Sequence, residues 1–541
     1  MTSRTETPRN GNEPDQRARR KPGTVYLVGA GPGHPGLLTL RGAECLGKAD
    51  LVLYDYLANP SLVEHAGPRA ELVRLGHHNG GPRMTPDQIT AAMIDAALDG
   101  RCVVRLKGGD PAVFGRLADE TAALRRLGIP FEVVPGITSG LALSAFAEVP
   151  VTHHDDASAV ALVTGRERGG KDESNLDYQA LAAFPGTLVF YMGVKRAARW
   201  SAALMDHGRS PDTPVAIVRW CSRARQQTVC CTLGTVAEVV ESRGVRPPAL
   251  FVVGEVVQHS PCMSWFETRP LFGSTVLVAG SARTAERLRE QLAEQGAEVI
   301  VQPAIRVVPP PSWNAVDDTL DRIRDYDWLV FSTPNGVDAL MGRILDLGTD
   351  ARRLGGVKIA AIGKGTADRL RAYQLQPEVV PDVYEPTRLA TRLIPEGTRP
   401  RFLMACGPDS PTLSEELEVF GGRVDELVVY DTEGVEDPDP DVALALVERE
   451  IDWVAVTSTT TARALDRLYG SQLRHTRIAS ISPLTSKVLR GLDLAPDAEA
   501  SPPTVSALVD GITAAVKRIR ETVAEETEAE MEAETVGRSG R

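Results

Sequence analysis

No run of eighteen apolar residues occurs in the 541-residue chain, so no helical membrane span is expected. The opening stretch MTSRTETPRNGNEPDQRARRKPG is polar and lacks an apolar centre, so a secretory signal is not expected either. There is no CxxC pair. The seven cysteines (Cys45, Cys102, Cys221, Cys230, Cys231, Cys262 and Cys406) are scattered along the chain. That spacing predicts neither a disulfide framework nor a metal centre, and it suits the reduced thiols of a cytoplasmic protein. An excess of positive charge is also missing: the net charge of −12 argues against nucleic-acid binding. Part of that charge sits at the end, where 521–541 holds seven Glu against two Arg and is expected to be a disordered acidic tail.

What is present is the balance of a soluble globular protein, 43% hydrophobic and 24% charged, in a chain long enough for several compact units. Residues 1–22 are expected to be disordered. From Thr24 onward, short β-branched runs at 24–28, 51–54, 102–106, 131–134, 159–163, 187–191, 214–218 and 250–253 alternate with helical patterns. This is an α/β pattern with mainly parallel sheets. A second start follows the turn-rich 268–270, with strands expected at 273–280, 298–301, 328–331, 358–362, 401–405, 423–430, 453–457 and 477–481. Two of these units rhyme. DWLVFST at 327–333 resembles DWVAVTS at 452–458, and KIAAIGKGT at 358–366 resembles RIASISPLT at 477–485. An internal duplication explains both, so the second half is read as two similar lobes, with crossings expected near 309–311 and 436–440.

The loop Gly31-Pro32-Gly33-His34-Pro35-Gly36 satisfies GxGxxG, follows a strand and opens a helix, with Asp55 where a ribose-binding acid would stand. A phosphate cradle, however, works through backbone N–H groups, and Pro32 and Pro35 each remove one. A nicotinamide-dependent oxidoreductase therefore ranks behind two other readings, a structural strand-to-helix turn and the resemblance that follows.

VYLVGAGPG at 25–33 with PGLLTL at 35–40 resembles the opening signature of the tetrapyrrole methylases. VVRLKGGDP at 103–111 with Phe114-Gly115-Arg116, VPGITS at 134–139, VPVTH at 149–153 and LVFYMG at 188–193 follow in that family's order. The resemblance covers 23–266 and is specific for uroporphyrinogen-III C-methyltransferases. It implies two α/β subdomains, about 23–150 and 155–266, with S-adenosyl-L-methionine in the cleft between them. The implied cofactor contacts are Pro32, Gly108, Gly109, Asp110, Val113, Thr138, Ser139, Met192, Cys221 and Ala249. The family's base maps to Asp55, and its proton donor maps to His77. Three positions depart from the family: His34 for Asp, His77 for Lys, and Cys221 for Gly. Histidine still donates a proton, at a pH nearer neutrality. An impaired or regulatory methylase half is the alternative these departures raise. The family also implies a homodimer, with no membrane or nucleic-acid partner.

Residues 271–516 resemble uroporphyrinogen-III synthases. The likeness rests on Leu277-Val278-Ala279, Gly296–Val299 with Pro303-Ala304-Ile305, 327–337, Val429-Tyr430-Asp431-Thr432 and 478–489. It implies two lobes, about 271–307 plus 437–516 and 310–434, that fold a linear tetrapyrrole carrying eight carboxylates. No metal is implied. The matched positions are Ser332, Ser458, Arg477 and Thr485 for substrate, with Tyr430 as the group on the leaving hydroxyl. Ser and Thr after strands also cap helices, so each hydroxyl keeps both readings. A two-lobed small-molecule sensor is the alternative for this half. Taken together, one half would make what the other consumes, on a route toward siroheme or cobalamin.

Overall fold

The computed structural model describes residues 21–76, 84–166, 175–261, 263–280, 282–381, 386–407 and 413–539. The chain divides into two compact units, 1–274 with 295–298, and 275–294 with 299–541. The expected disorder at 1–20, together with His77 and Cys262, lies outside the described residues. No helix among the described residues is long and apolar enough to cross a membrane.

In the first unit, β1 (Val25–Gly29), β2 (Leu51–Asp55), β3 (Glu71–Leu75), β4 (Val103–Lys107) and β5 (Phe131–Val134) form an all-parallel sheet in the order β3-β2-β4-β1-β5. The inner strands β1, β2 and β4 are almost wholly buried, which is why β1 and β2 read as largely apolar runs, while β4 buries the charges Arg105 and Lys107. The second sheet comprises β6 (Val160–Thr164), β7 (Thr187–Tyr191), β8 (Pro214–Arg219), β9 (Gln227–Thr232) and β10 (Ala249–Val253), in the order β6-β7-β10-β8-β9. Only β6 and β7 pair in parallel. The β7–β10, β10–β8 and β8–β9 pairings are antiparallel, which corrects the expectation of mainly parallel sheets for this half. The missed strand β9, QTVCCT, is only partly buried and lies on the sheet edge, where one side of the ladder is open and apolar runs are not needed.

The second unit has strands β11 (Thr275–Ala279), β12 (Glu298–Val301), β13 (Ile305–Val308), β14 (Trp328–Phe331), β15 (Lys358–Ala361), β16 (Arg401–Cys406), β17 (Arg423–Val428), β18 (Asp431–Gly434), β19 (Trp453–Val456), β20 (Arg477–Ser480) and β21 (Ala498–Glu499). They form two parallel sheets, β12-β11-β19-β20-β21 and β15-β14-β16-β17, the latter extended by a bridge from Ala360 to Val379. With that bridge counted, both sheets have the same order, β11 standing for β16, β12 for β17, β19 for β14 and β20 for β15. The internal rhyme of the sequence is thus a repeat of fold, with β14–β17 inserted as one block into the chain of the other lobe. The repeat reaches single hydrogen bonds. Asp327 accepts the N–H of Arg401 (2.8 Å) as Asp452 accepts that of Thr275 (2.7 Å). Glu378 holds the N–H of Ile359 as Asp497 holds that of Ile478. The crossings are an antiparallel ladder, β13 on β18, beside the proline-rich segments expected to make them.

The acidic end departs from expectation: a helix runs from Val505 to Ser539, through most of the stretch expected to be disordered. Its Ala- and Glu-rich sequence has high helix propensity, which outweighs the like-charge repulsion. Residues 521–526 are exposed.

Candidate active sites

The C-terminal ends of β1, β4 and β5 lead into three loops that touch through glycine. Gly31 and Gly109 exchange both backbone hydrogen bonds, at 3.1 and 2.8 Å. A Cβ on Gly136 would stand 2.3 Å from the Gly109 carbonyl oxygen, so only glycine permits this approach. Asp110 stitches the loops together, accepting from Ala112 N–H (2.7 Å) and Gly136 N–H (3.0 Å). Each of its carboxylate oxygens thus holds one backbone N–H and keeps a further lone pair. From the second sheet, Tyr191 ends β7 and shares a 2.8 Å hydrogen bond with Thr138 Oγ1, while its Oη accepts the Gly140 N–H, also at 2.8 Å. Burial pushes the Tyr191 phenol up, so it stays protonated.

Between these two sets of strand ends lies a cavity of about 620 Å³. Its lining includes all ten positions expected to contact the cofactor: Pro32, Gly108, Gly109, Asp110, Val113, Thr138, Ser139, Met192, Cys221 and Ala249. It also includes residues the sequence reading missed, among them Phe114, Tyr191 and Trp220 and the cations Arg166, Lys195 and Arg196. Phe114 (φ 55°), Met192 (φ 55°) and Trp220 (φ 51°) all hold left-handed backbone conformations that cost bulky residues energy. Three such residues around one cavity mark a place where the surroundings over-determine the backbone. Phe114 and Met192 belong to family motifs, but nothing in the sequence marks their backbone conformation or that of Trp220. Cys221 is buried, and its thiol is pushed up to about 12, so it contributes a small neutral surface.

Asp55 does not line this cavity. One carboxylate oxygen pairs with Arg105, and the other accepts the Gly108 N–H at 3.2 Å. Arg105 also approaches Glu120 (3.5 Å), which pairs in turn with Lys107 (2.5 Å). These last three side chains are buried, and desolvation holds the Lys107 ammonium below its ordinary value. The expected base is thus the outer member of a charge network beneath the glycine loop. The sequence reading missed this because a strand-end Asp says nothing of the Arg two strands away. The expected proton donor, His77, is outside the described residues.

His34 is a cap. Its Nδ1 accepts the Gly36 N–H (3.1 Å), and its own N–H donates to Ser222 Oγ (3.0 Å). Burial, with Arg269 nearby, pushes its imidazole below the ordinary value. The GxGxxG loop passes into a 3-10 turn, Pro35–Leu37, and the next helix begins only at Leu40, its N terminus capped by Thr39. The 3-10 turn thus stands between the loop and the next helix start, which does not suit a phosphate cradle.

In the second unit, a cavity of about 1020 Å³ is bounded by the β13/β18 ladder and the helix Pro334–Asp346. Of the five positions expected there, only Tyr430 lines it, with its Oη 3.1 Å from Thr333 Oγ1. Ser332 follows β14 and bonds the Ala405 carbonyl at 3.3 Å. Ser458 caps the helix Thr459–Tyr469. Thr485 is buried in the first turn of the helix Pro483–Gly491, bonded to its cap Ser482 (3.0 Å). Arg477 opens β20, so it lies at the opposite edge of the sheet from Ser458 and Thr485, which follow strand ends. It does not join them in one site. The charged lining is four Asp (Asp338, Asp346, Asp437, Asp439) against Arg306 and Arg343, and Arg343 is already bidentate with Asp317. That balance alone does not favour polycarboxylates.

Residues 24–237 match the family of tetrapyrrole (corrin/porphyrin) methylases, and 286–510 match uroporphyrinogen-III synthase HemD. A porphyrin biosynthesis protein HemD of Ruminiclostridium josui is 32% identical over 81% of this chain and 87% of its own length. A uroporphyrinogen-III C-methyltransferase of Bacillus subtilis is 39% identical over 62% of this chain and 68% of its own. An S-adenosyl-L-methionine-dependent uroporphyrinogen III methyltransferase of Methanosarcina barkeri is 45% identical over 43% of this chain and 92% of its own. One relative thus spans both halves of the chain, and another matches the first half almost end to end. The chain belongs to the tetrapyrrole methylases through its first half and to the uroporphyrinogen-III synthases through its second.

Proposed function

We propose that the chain carries out two consecutive steps: its second half closes hydroxymethylbilane to uroporphyrinogen III, and its first half methylates that product twice, with S-adenosyl-L-methionine, to give precorrin-2. The observation that carries the methylase reading is the convergence of the ten expected cofactor positions on one cavity whose lining also includes Arg166, Lys195 and Arg196. None of these three cations has a carboxylate partner among the described residues. A ring system bearing eight carboxylates meets such cations by charge-assisted hydrogen bonds. The cavity also suits the methyl donor. Its volume lies within the range of small-molecule sites. Gly108 and Gly109 keep part of the wall free of side chains, and Val113, Met192 and Ala249 give an apolar surface.

When bound, the donor supplies a methyl group on a sulfonium for attack by an electron-rich pyrrole carbon. The chain's own part is to hold donor and ring in line and to keep water out. Asp55, engaged by Arg105 and the Gly108 N–H, acts here as a positioning residue that fixes the glycine loop. For the second half, the reading rests on the family, with Tyr430 as the residue of the matched set that reaches the cavity.

The test is to incubate the full chain with hydroxymethylbilane without oxygen, with and without S-adenosyl-L-methionine, and identify the products. Expected are uroporphyrin III after oxidation of the sample lacking the donor, and dimethylated precorrin-2 in the other. Unmethylated product in both samples would overturn the methylase assignment. The type I isomer alone, from spontaneous closure, would overturn the synthase assignment.

A further inference from the structure

Outside both cavities, the first unit gathers an unusual set of side chains. Residues 153–157 form a closed loop, in which His153 and Ala157 exchange both backbone hydrogen bonds at 3.0 Å. From this loop, His153 and Asp156 face His259, at the end of the 3-10 helix Glu255–His259. One oxygen of Asp156, Oδ2, lies 2.9 Å from His153 Nδ1 and 2.6 Å from His259 Nε2. The two imidazoles stack, with centroids 4.0 Å apart and planes 22° apart. Two ring nitrogens and a carboxylate oxygen therefore converge within 4.8 Å of one another, from two segments about a hundred residues apart in sequence.

We propose that His153, Asp156 and His259 form a binding site for a divalent d-block cation such as Zn²⁺ or Co²⁺. Two imidazoles with one carboxylate is a donor set that such ions favour, and hard cations such as Mg²⁺ do not. Ligand bonds of about 2.0–2.2 Å place the donors of a tetrahedral ion somewhat over 3 Å apart, so Asp156 Oδ2 needs to draw back from each ring nitrogen by about half an ångström, and the two imidazoles need to turn out of their stack to aim both lone pairs at the ion. Side-chain exposures of 23%, 30% and 43% leave the site partly sheltered yet open to an incoming ion and to a water as fourth ligand. His154 and Asp155 pair with each other on the same loop but are 81% and 73% exposed, so they make the poorer ligands. His153 closes the methylase motif VPVTH at 149–153, but none of the three side chains lines the cavity of that half. The cysteine-based expectation of no metal did not weigh it, because its members are distant in sequence.

The experiment is titration of the full chain, freed of metal by a chelator, with Co²⁺ and Zn²⁺, following the Co²⁺ visible spectrum and Zn²⁺ calorimetry. Expected is one equivalent bound, with no thiolate-to-cobalt charge-transfer band and a melting temperature that rises with metal concentration. Affinity is expected to fall at least about tenfold in Asp156→Asn and in His259→Gln. Both variants keep hydrogen-bonding side chains of similar size, and the metal-free melt of each verifies that the fold survives. No stoichiometric binding, binding that survives both substitutions, or a thiolate band would each overturn the proposal.

Discussion

The two halves build their cavities by different means. In the first, loops at the strand ends of both sheets meet, held by glycine contacts, by the engaged carboxylate of Asp110 and by three left-handed residues. The site is a matter of backbone shape. In the second, each lobe closes its own helices with hydroxyl caps, and the lobes share little beyond the β13/β18 ladder and the cavity beside it. A backbone-made site depends on residues with few substitutes, while a lobe-made site draws on residues that any helix start also uses. Damage should therefore fall unevenly, and four substitutions test that.

The largest effect is expected from Gly136→Ala. Its new Cβ would meet backbone on two sides, Gly109 O at 2.3 Å and Gly29 Cα at 2.7 Å, with nothing flexible to yield. Methyl transfer should be lost while ring closure persists, both measured on one preparation. Methylation surviving at wild-type rate would break the contrast drawn here. Next comes Glu120→Ala, which leaves Arg105 and Lys107 buried with one anion instead of two. Removing a buried partner of this kind costs on the order of 3 kcal/mol, to be read from denaturant unfolding of the first unit. Ser458→Ala should cost about 1 kcal/mol through the lost cap. If Ser458 is only a cap, the rate and KM of ring closure stay unchanged, and a rise in KM would return it to the substrate.

The smallest effect concerns His34. Its folded-state pKa lies below the ordinary 6.5, so as pH falls through 6.5 the unfolded chain takes up a proton that the folded one does not. Stability is thus present above 6.5 and declines below it, until the folded value is passed. His34→Asn keeps an acceptor for the Gly36 N–H and removes the titration. Its melting temperature should fall less than that of the wild type between pH 7.5 and 5.5, and an equal fall would discard the account.

This contrast also governs what could be read in advance. The strands at 187–191 and 328–331 stand at the expected residues because buried apolar runs leave little choice. The ten cavity positions were legible only through the family resemblance that the glycine- and proline-rich motifs carry. Arg105, Lys107 and Glu120 were not, since a charge inside a strand or a helix normally argues for exposure and only the fold shows which charges meet. Ser458 and Thr485 read equally as caps and as ligands, and the structure places both in cap geometry. The edge strand β9 and the crossing strands β13 and β18 were missed or merged because partial burial leaves a mixed pattern.

The inserted lobe leaves the chain and returns to it at one point. Val308 and Asp431 are paired neighbours on the β13/β18 ladder, so the two ends of the 122 residues between them stand about 5 Å apart. A block whose entry and exit coincide is modular. It can be lengthened, exchanged or excised as a single cassette, and the sheet β12-β11-β19-β20-β21 that hosts it keeps every one of its own strand pairings.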